Sequence, residues 1–136
     1  MTGNMSFARA EHTASVLANG NILVTGGYSI GGPTNTTELY DLRTGNWITI
    51  GSMYFRRYQH TASVLTNGNV LVAGENDGGS ALNSAELCNP SAGTWTTIEN
   101  MNNARYIHTA SILTDGRVLV AGGFNSSCYL NNAEIY

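Results

Sequence analysis

Short apolar runs alternate along the chain with clusters of Gly, Asn, Asp and Thr, and no run carries the 3.6-residue apolar period and caps of a helix. The pattern predicts strands and essentially no helix. Thr61–Leu65 is a β-branched and apolar run followed at once by Asn67-Gly68. Such a pair between two apolar runs signals a hairpin, and in the commonest two-residue turn both residues take positive φ. Val70-Leu71-Val72-Ala73 is apolar without alternation, the mark of a strand covered on both faces and central in its sheet. Residues 75–83, rich in Gly, Asn and Ser, read as a loop. Ala85-Glu86-Leu87-Cys88 is a third strand, and Thr94–Ile98, which alternates, is a half-exposed fourth after the turn Asn89–Gly93.

This sequence of strands repeats. His12-Thr13-Ala14-Ser15-Val16-Leu17 recurs at His60 and, with Ile for Val, at His108; the spacing is 60 − 12 = 108 − 60 = 48. Met5, Met53 and Met101 keep that offset, as do Arg9, Arg57 and Arg105, Glu38, Glu86 and Glu134, and Trp47 with Trp95. Residues 60–74 agree with 12–26, and with 108–122, at 12 of 15 positions each. The units span about 5–52, 53–100 and 101–136, and the last has no counterpart of Trp47. One four-stranded sheet cannot bury both its faces, so such units stack around an axis as the blades of a β-propeller. The whole chain, 1–136, reads as one propeller segment.

Arg-x-x-His before the first strand, Asn67-Gly68-Asn69-Val70-Leu71-Val72-Ala73-Gly74 in the second, Ala-Glu-Leu in the third and Gly93-Thr94-Trp95 opening the fourth resemble the kelch repeat over about residues 5–136. The repeat length also agrees with the kelch value of roughly 50. The resemblance implies an all-β, partial β-propeller of about three four-stranded antiparallel blades. It also implies a non-catalytic scaffold for a protein or peptide partner, with no cofactor. The competing class within the family is a piece of a galactose-oxidase-like or sugar-epimerase-like enzyme. The residues argue against it: the three histidines are all repeat positions, and Cys128-Tyr129 are sequence neighbours rather than a cross-blade pair. Two departures stand out. The middle unit reads Gly74-Glu75 where the others have Gly26-Gly27 and Gly122-Gly123, and Cys88 replaces Tyr40 and Tyr136, which implies looser packing there.

Closed propellers need about four to eight blades. Three therefore predict either a piece of a longer propeller or a homodimer completing a six-bladed ring, with the amino terminus supplying the tail of a fourth strand. Charge and composition narrow the rest. Six arginines, no lysine and nine acids give a net charge of −3, without the clustered cations of a nucleic-acid-binding surface. No apolar run approaches the ~20 residues of a membrane-spanning helix. No signal peptide is visible, so the compartment stays open. Cys88 and Cys128 fit neither a disulfide framework nor a metal spacing.

The units diverge at the links between second and third strands and at the links between blades, which emerge at one end of a meander whose first strand lies innermost. Freedom from scaffold constraint there marks a binding face. Its candidate contacts are Tyr28, Tyr54, Phe55, Arg56, Glu75, Asp77, Phe124 and Tyr129. The opposite end holds short repeated turns, Asn19-Gly20, Asn67-Gly68 and Asp115-Gly116. Arg9, Arg57, Arg105, Glu38, Glu86 and Glu134 occur once per unit, which favours a structural role, each arginine pairing with a glutamate or with loop carbonyls between blades, over an arginine ring gripping an acidic peptide. His12, His60 and His108 lie one per sheet, ~10 Å apart, too far to share an ion at about 2.0–2.1 Å. They read as hydrogen-bonding residues, not as metal ligands. Asn4, Asn35 and Asn125 match the glycan acceptor pattern.

Overall fold

The structure, a computed structural model, describes residues 2–136 and contains no helix among them. Its strands are β1 (Thr13–Val16), β2 (Ile22–Thr25), β3 (Tyr28–Ser29), β4 (Gly32–Pro33), β5 (Thr37–Asp41), β6 (Asn46–Ile50), β7 (Thr61–Val64), β8 (Val70–Asn76), β9 (Ala81–Asn89), β10 (Thr94–Thr97), β11 (Thr109–Ile112), β12 (Val118–Ala121) and β13 (Ala133–Ile135). They form antiparallel meanders: β1-β2-β5-β6 is blade 1, β7-β8-β9-β10 is blade 2, and β11-β12-β13 is a three-stranded blade 3. The first strands β1, β7 and β11 are neighbours across the blade boundaries, so they lie innermost. This is a partial propeller that does not close.

The face-to-face stacking follows from the continuous apolar run in β8, where successive side chains point to opposite faces. Val70 and Val72 join Leu17, Leu23 and Met53 in a core between blades 1 and 2, while Leu71 and Ala73 join Met101, Val118 and Val120 in a core between blades 2 and 3. Each fully buried aliphatic side chain contributes about 1.5–3 kcal/mol. Cys88 is wholly buried in the first core beside Trp95, so the predicted looseness is not seen. Tyr40 and Trp47, on a face of blade 1 that no other blade covers, are only half-buried, with their rings 5.2 Å apart.

The hairpins differ from the expected two-residue form. Leu17 N donates to Asn21 O at 2.8 Å and Gly20 N to Leu17 O at 2.9 Å; Leu65 and Gly68, and Leu113 and Gly116, repeat the pattern. Among the turn residues only the glycines have positive φ, +83° at Gly20 and Gly68 and +88° at Gly116, so each turn is a three-residue loop ending in a left-handed glycine. The Asn19, Asn67 and Asp115 carboxamide or carboxylate oxygens instead accept the amide two residues on, which holds them in the right-handed region.

Among the described residues no amino-terminal strand tail is formed. Met1 lies outside the described residues and Thr2 is not in a strand. Gly3 N donates to Gly45 O, and Trp47 Nε1 donates to Gly3 O at 2.9 Å, just as Trp95 Nε1 donates to Gly51 O at 2.9 Å. Residues 3–5 thus follow the path of an inter-blade link.

Candidate functional site

Each inter-blade link is fastened by the repeated glutamate. Glu38 accepts the amides of Ser6 and Phe7, Glu86 those of Tyr54 and Phe55, and Glu134 those of Asn102 and Asn103. The carboxylate is held in turn by the arginine of its own unit: Arg9 to Glu38 at 2.8 Å, Arg57 to Glu86 at 2.6 Å and Arg105 to Glu134 at 2.7 Å. These pairs lie within a unit, not between blades as the sequence suggests. The arginine side chains are wholly buried, and the Nη1 of each donates to backbone carbonyls, for Arg9 those of Gly26 and Thr36. An arginine ring open to an acidic peptide is therefore ruled out for these three residues. Burial pushes Glu134 upward, but bonds from the Asn102 amide, Arg105 and Asn103 outweigh it and leave the carboxyl at about 2.

The links so fixed present aromatic side chains. Tyr54 is 67% exposed, and Phe55 and Phe7, which occupy the same place in successive units, are exposed as well. Arg56 is also exposed. Residues 10, 58 and 106 each bridge to the start of the following 2–3 loop, at Tyr28, Asn76 and Phe124. That bridging puts links and loops at one end, as a meander with its first strand innermost requires, and brings rings together. Tyr28 meets Tyr58 edge-on at 5.1 Å; Tyr106 meets Phe124 at 5.6 Å, and Phe124 meets Tyr129 at 5.2 Å. Tyr106, Gly123, Phe124, Tyr129 and Leu130 border an open hollow of about 450 Å³. A hollow of about 320 Å³ at the opposite end lies between the turns at Asn19, Asn67 and Asn89.

Of the eight residues picked from divergence, Tyr28, Phe124 and Tyr129 join the ring clusters. Tyr54, Phe55 and Arg56 stand exposed on the link, and none of the ring pairs involves Tyr54 or Phe55 among the described residues. Asp77 is exposed but bound into its own turn: Ser80 and Gly79 donate their amides to its carboxylate, which lowers its pKa. Glu75 is a correction, because its side chain is wholly buried. It lies 3.0 Å from Arg57 Nε, an ion contact rather than an aligned hydrogen bond, and accepts from Ser84 Oγ at 2.8 Å. Burial holds its pKa up at about 7 against the pull of Arg57.

Sequence divergence overlooked Tyr58 and Tyr106 because they adjoin the repeated Arg57 and Arg105. The signal was there nonetheless, since unit 1 has Ala10 at that place. The histidines lie on the blade boundaries. His60 Nε2 is 2.9 Å from Thr13 Oγ1 and 3.2 Å from Thr25 Oγ1, and His108 Nε2 is 2.8 Å from Thr61 Oγ1. Burial, with the nearby arginine, lowers His60 to about 3 and His108 to about 4, so both rings are neutral at pH 7.

The curated proteins hold no match to this chain. The kelch motif matches residues 9–54 and 106–136, more than half of the chain, and passes over the middle stretch that contains Gly74-Glu75 and Cys88. Repeat, blade and motif agree: the chain belongs to the kelch-repeat family.

Proposed function

We propose that the chain is a protein-interaction scaffold whose partner docks on the end formed by the 2–3 loops and the inter-blade links. Kelch repeats generally mediate protein–protein interaction, typically without catalysis. The observation that carries the choice of end is the set of ring clusters there, Tyr28 with Tyr58 and Tyr106 with Phe124 and Tyr129. Aromatic side chains supply interface energy out of proportion to their number, and here the backbone beneath the adjoining links is anchored by buried ion pairs. Arg56, exposed between Phe55 and the buried Arg57, adds a cation with no counterpart in the other units.

A displayed library of random peptides, selected on the 136-residue chain, tests the reading. Selected peptides lose at least tenfold in affinity for Tyr58→Ser/Tyr129→Ser and less for Arg56→Ala, and bind Leu42→Ser, altered at the opposite end, as tightly as the parent. Peptides indifferent to the first two variants and sensitive to the third would move the site to the other end.

A further inference from the structure

The bonds that recur at both joints between blades each have an unpaired half on each outer face of the structure. Gln59 N donates to Glu11 O at 3.3 Å, and Ile107 N to Gln59 O at 3.0 Å, which leaves the Ile107 carbonyl and the Glu11 amide as the next acceptor and donor in the series. Gly27 N donates to Arg57 O at 2.8 Å and Glu75 N to Arg105 O at 3.1 Å; Gly123 N and Arg9 O come next. Asn35 and Asn83 exchange bonds with the backbone of Met53 and Met101, and Asn131 and Met5 stand ready for the same exchange. His12 makes no hydrogen bond among the described residues, whereas Thr109, its complement by the His60–Thr13 and His108–Thr61 pattern, is exposed.

The apolar halves correspond too. On blade 3, Leu113, Leu119 and Ile135 occupy the places of Leu17, Leu23 and Leu39, which pack in the core between blades 1 and 2. Ile135 is nevertheless 52% exposed. On blade 1, Val16 occupies the place of Val64, which packs against that same core, yet Val16 is 68% exposed.

We propose that a second copy of this chain docks its blade 1 on blade 3 and its blade 3 on blade 1, closing a ring of two chains and six blades through two equivalent joints. The joint is continuous in kind with the two already inside the chain, and six blades fall within the range that closes. At the new joint Ala10 of the second copy stands where Tyr58 fills the joint of blades 1 and 2 beside Tyr28. It is too small to fill the hollow beside Phe124, which therefore remains as a cleft on the proposed binding end.

Sedimentation equilibrium of the 136-residue chain from about 1 to 100 μM tests this. The expected mass at the upper end is twice the 14.5 kDa of one chain. Val16→Glu and Ile135→Glu, each at an already exposed side chain, give monomers with unchanged far-ultraviolet circular dichroism, whereas Ala92→Glu, in an exposed turn of the middle blade, stays dimeric. Mixing the first two variants restores a dimer, because each retains the face the other lacks. A face-to-same-face dimer fails that mixing test. Monomer throughout, open chains longer than two copies, or a dimer indifferent to both substitutions would overturn the proposal, and monomer would leave the two faces to blades supplied by other sequence.

Discussion

Blades 1 and 2 are written in nearly the same words and differ where one glycine becomes a glutamate. In blade 1, Gly27 has φ +103°, and a Cβ there would lie 2.6 Å from Ala10 O, so the second strand stops and a separate small hairpin, β3 with β4, follows. In blade 2, Glu75 is not left-handed, and β8 and β9 continue through a bulge at Ala73/Glu75 to pair as far as Asn76 and Ala81. The stretch that reads as a loop is mostly a hairpin. Its carboxylate then lies 3.0 Å from the buried Nε of Arg57, an ion contact that Arg9 and Arg105, each paired with one carboxylate, lack. A departure from a repeat is thus as able to serve the interior as to face a ligand.

The sharpest way to break this comparison is to remove the shared cation. Arg57→Met leaves two buried carboxylates, Glu75 and Glu86, unpaired, and is expected to cost about 3–5 kcal/mol or more in urea denaturation. Arg9→Met strands only Glu38 and costs less; equal costs would show that Glu75 is not part of the cluster. Gly27→Ala forces a side chain into a left-handed position against a carbonyl and loses about 1–3 kcal/mol, whereas Glu75→Ala meets no such strain and changes stability mainly through charge.

Titration sharpens the same contrast. Because the folded pKa of Glu75 is raised to about 7, its contribution is fully present below the unfolded value near 4.5 and is lost as pH rises through 7. His60 and His108, lowered to about 3 and 4, act oppositely: their contribution is present above 6.5 and is lost as pH falls toward those values. Between about pH 5 and 6 the two effects oppose each other. Glu75→Gln removes the opposing one, so stability falls with acidification more steeply than in the parent, by at most about 1.4 kcal/mol per pH unit. Parallel pH profiles would place the titrating group elsewhere. The smallest effect separates the two joints: His60→Ala gives up bonds to Thr13 and Thr25 and His108→Ala a bond to Thr61 alone, so the first exceeds the second by about 0.5–1.5 kcal/mol in thermal or chemical denaturation.

Repetition made the architecture readable. Four strands per unit, the central position of Val70–Ala73 and the stacking of blades all follow from apolar runs that recur at a fixed spacing. The turns were half legible: Asn67-Gly68 locates the hairpin, but whether the asparagine turns left-handed depends on an Asx bond that the dipeptide does not reveal. The loops were legible as places and not as roles. Divergence picked Tyr28, Phe124 and Tyr129, which join ring clusters, yet it could not tell that Glu75 turns inward, because its partner Arg57 is distant in sequence and looks already committed to Glu86. Tyr58 was passed over because it adjoins the repeated Arg57, although Ala10 in unit 1 marks its place as variable; what pairs it with Tyr28 is the neighbouring blade.

Glu11, Gln59 and Ile107 share one backbone shape, with φ of +54°, +57° and +51°. An acid, an amide and an aliphatic residue thus adopt a conformation that costs side-chain-bearing residues some strain, and the bond chain from Ile107 through Gln59 to Glu11 holds them in it. The skeleton dictates the bend and is indifferent to the chemistry mounted on it. Around the inner rim, then, charge and polarity can be rewritten one blade at a time without disturbing the stack.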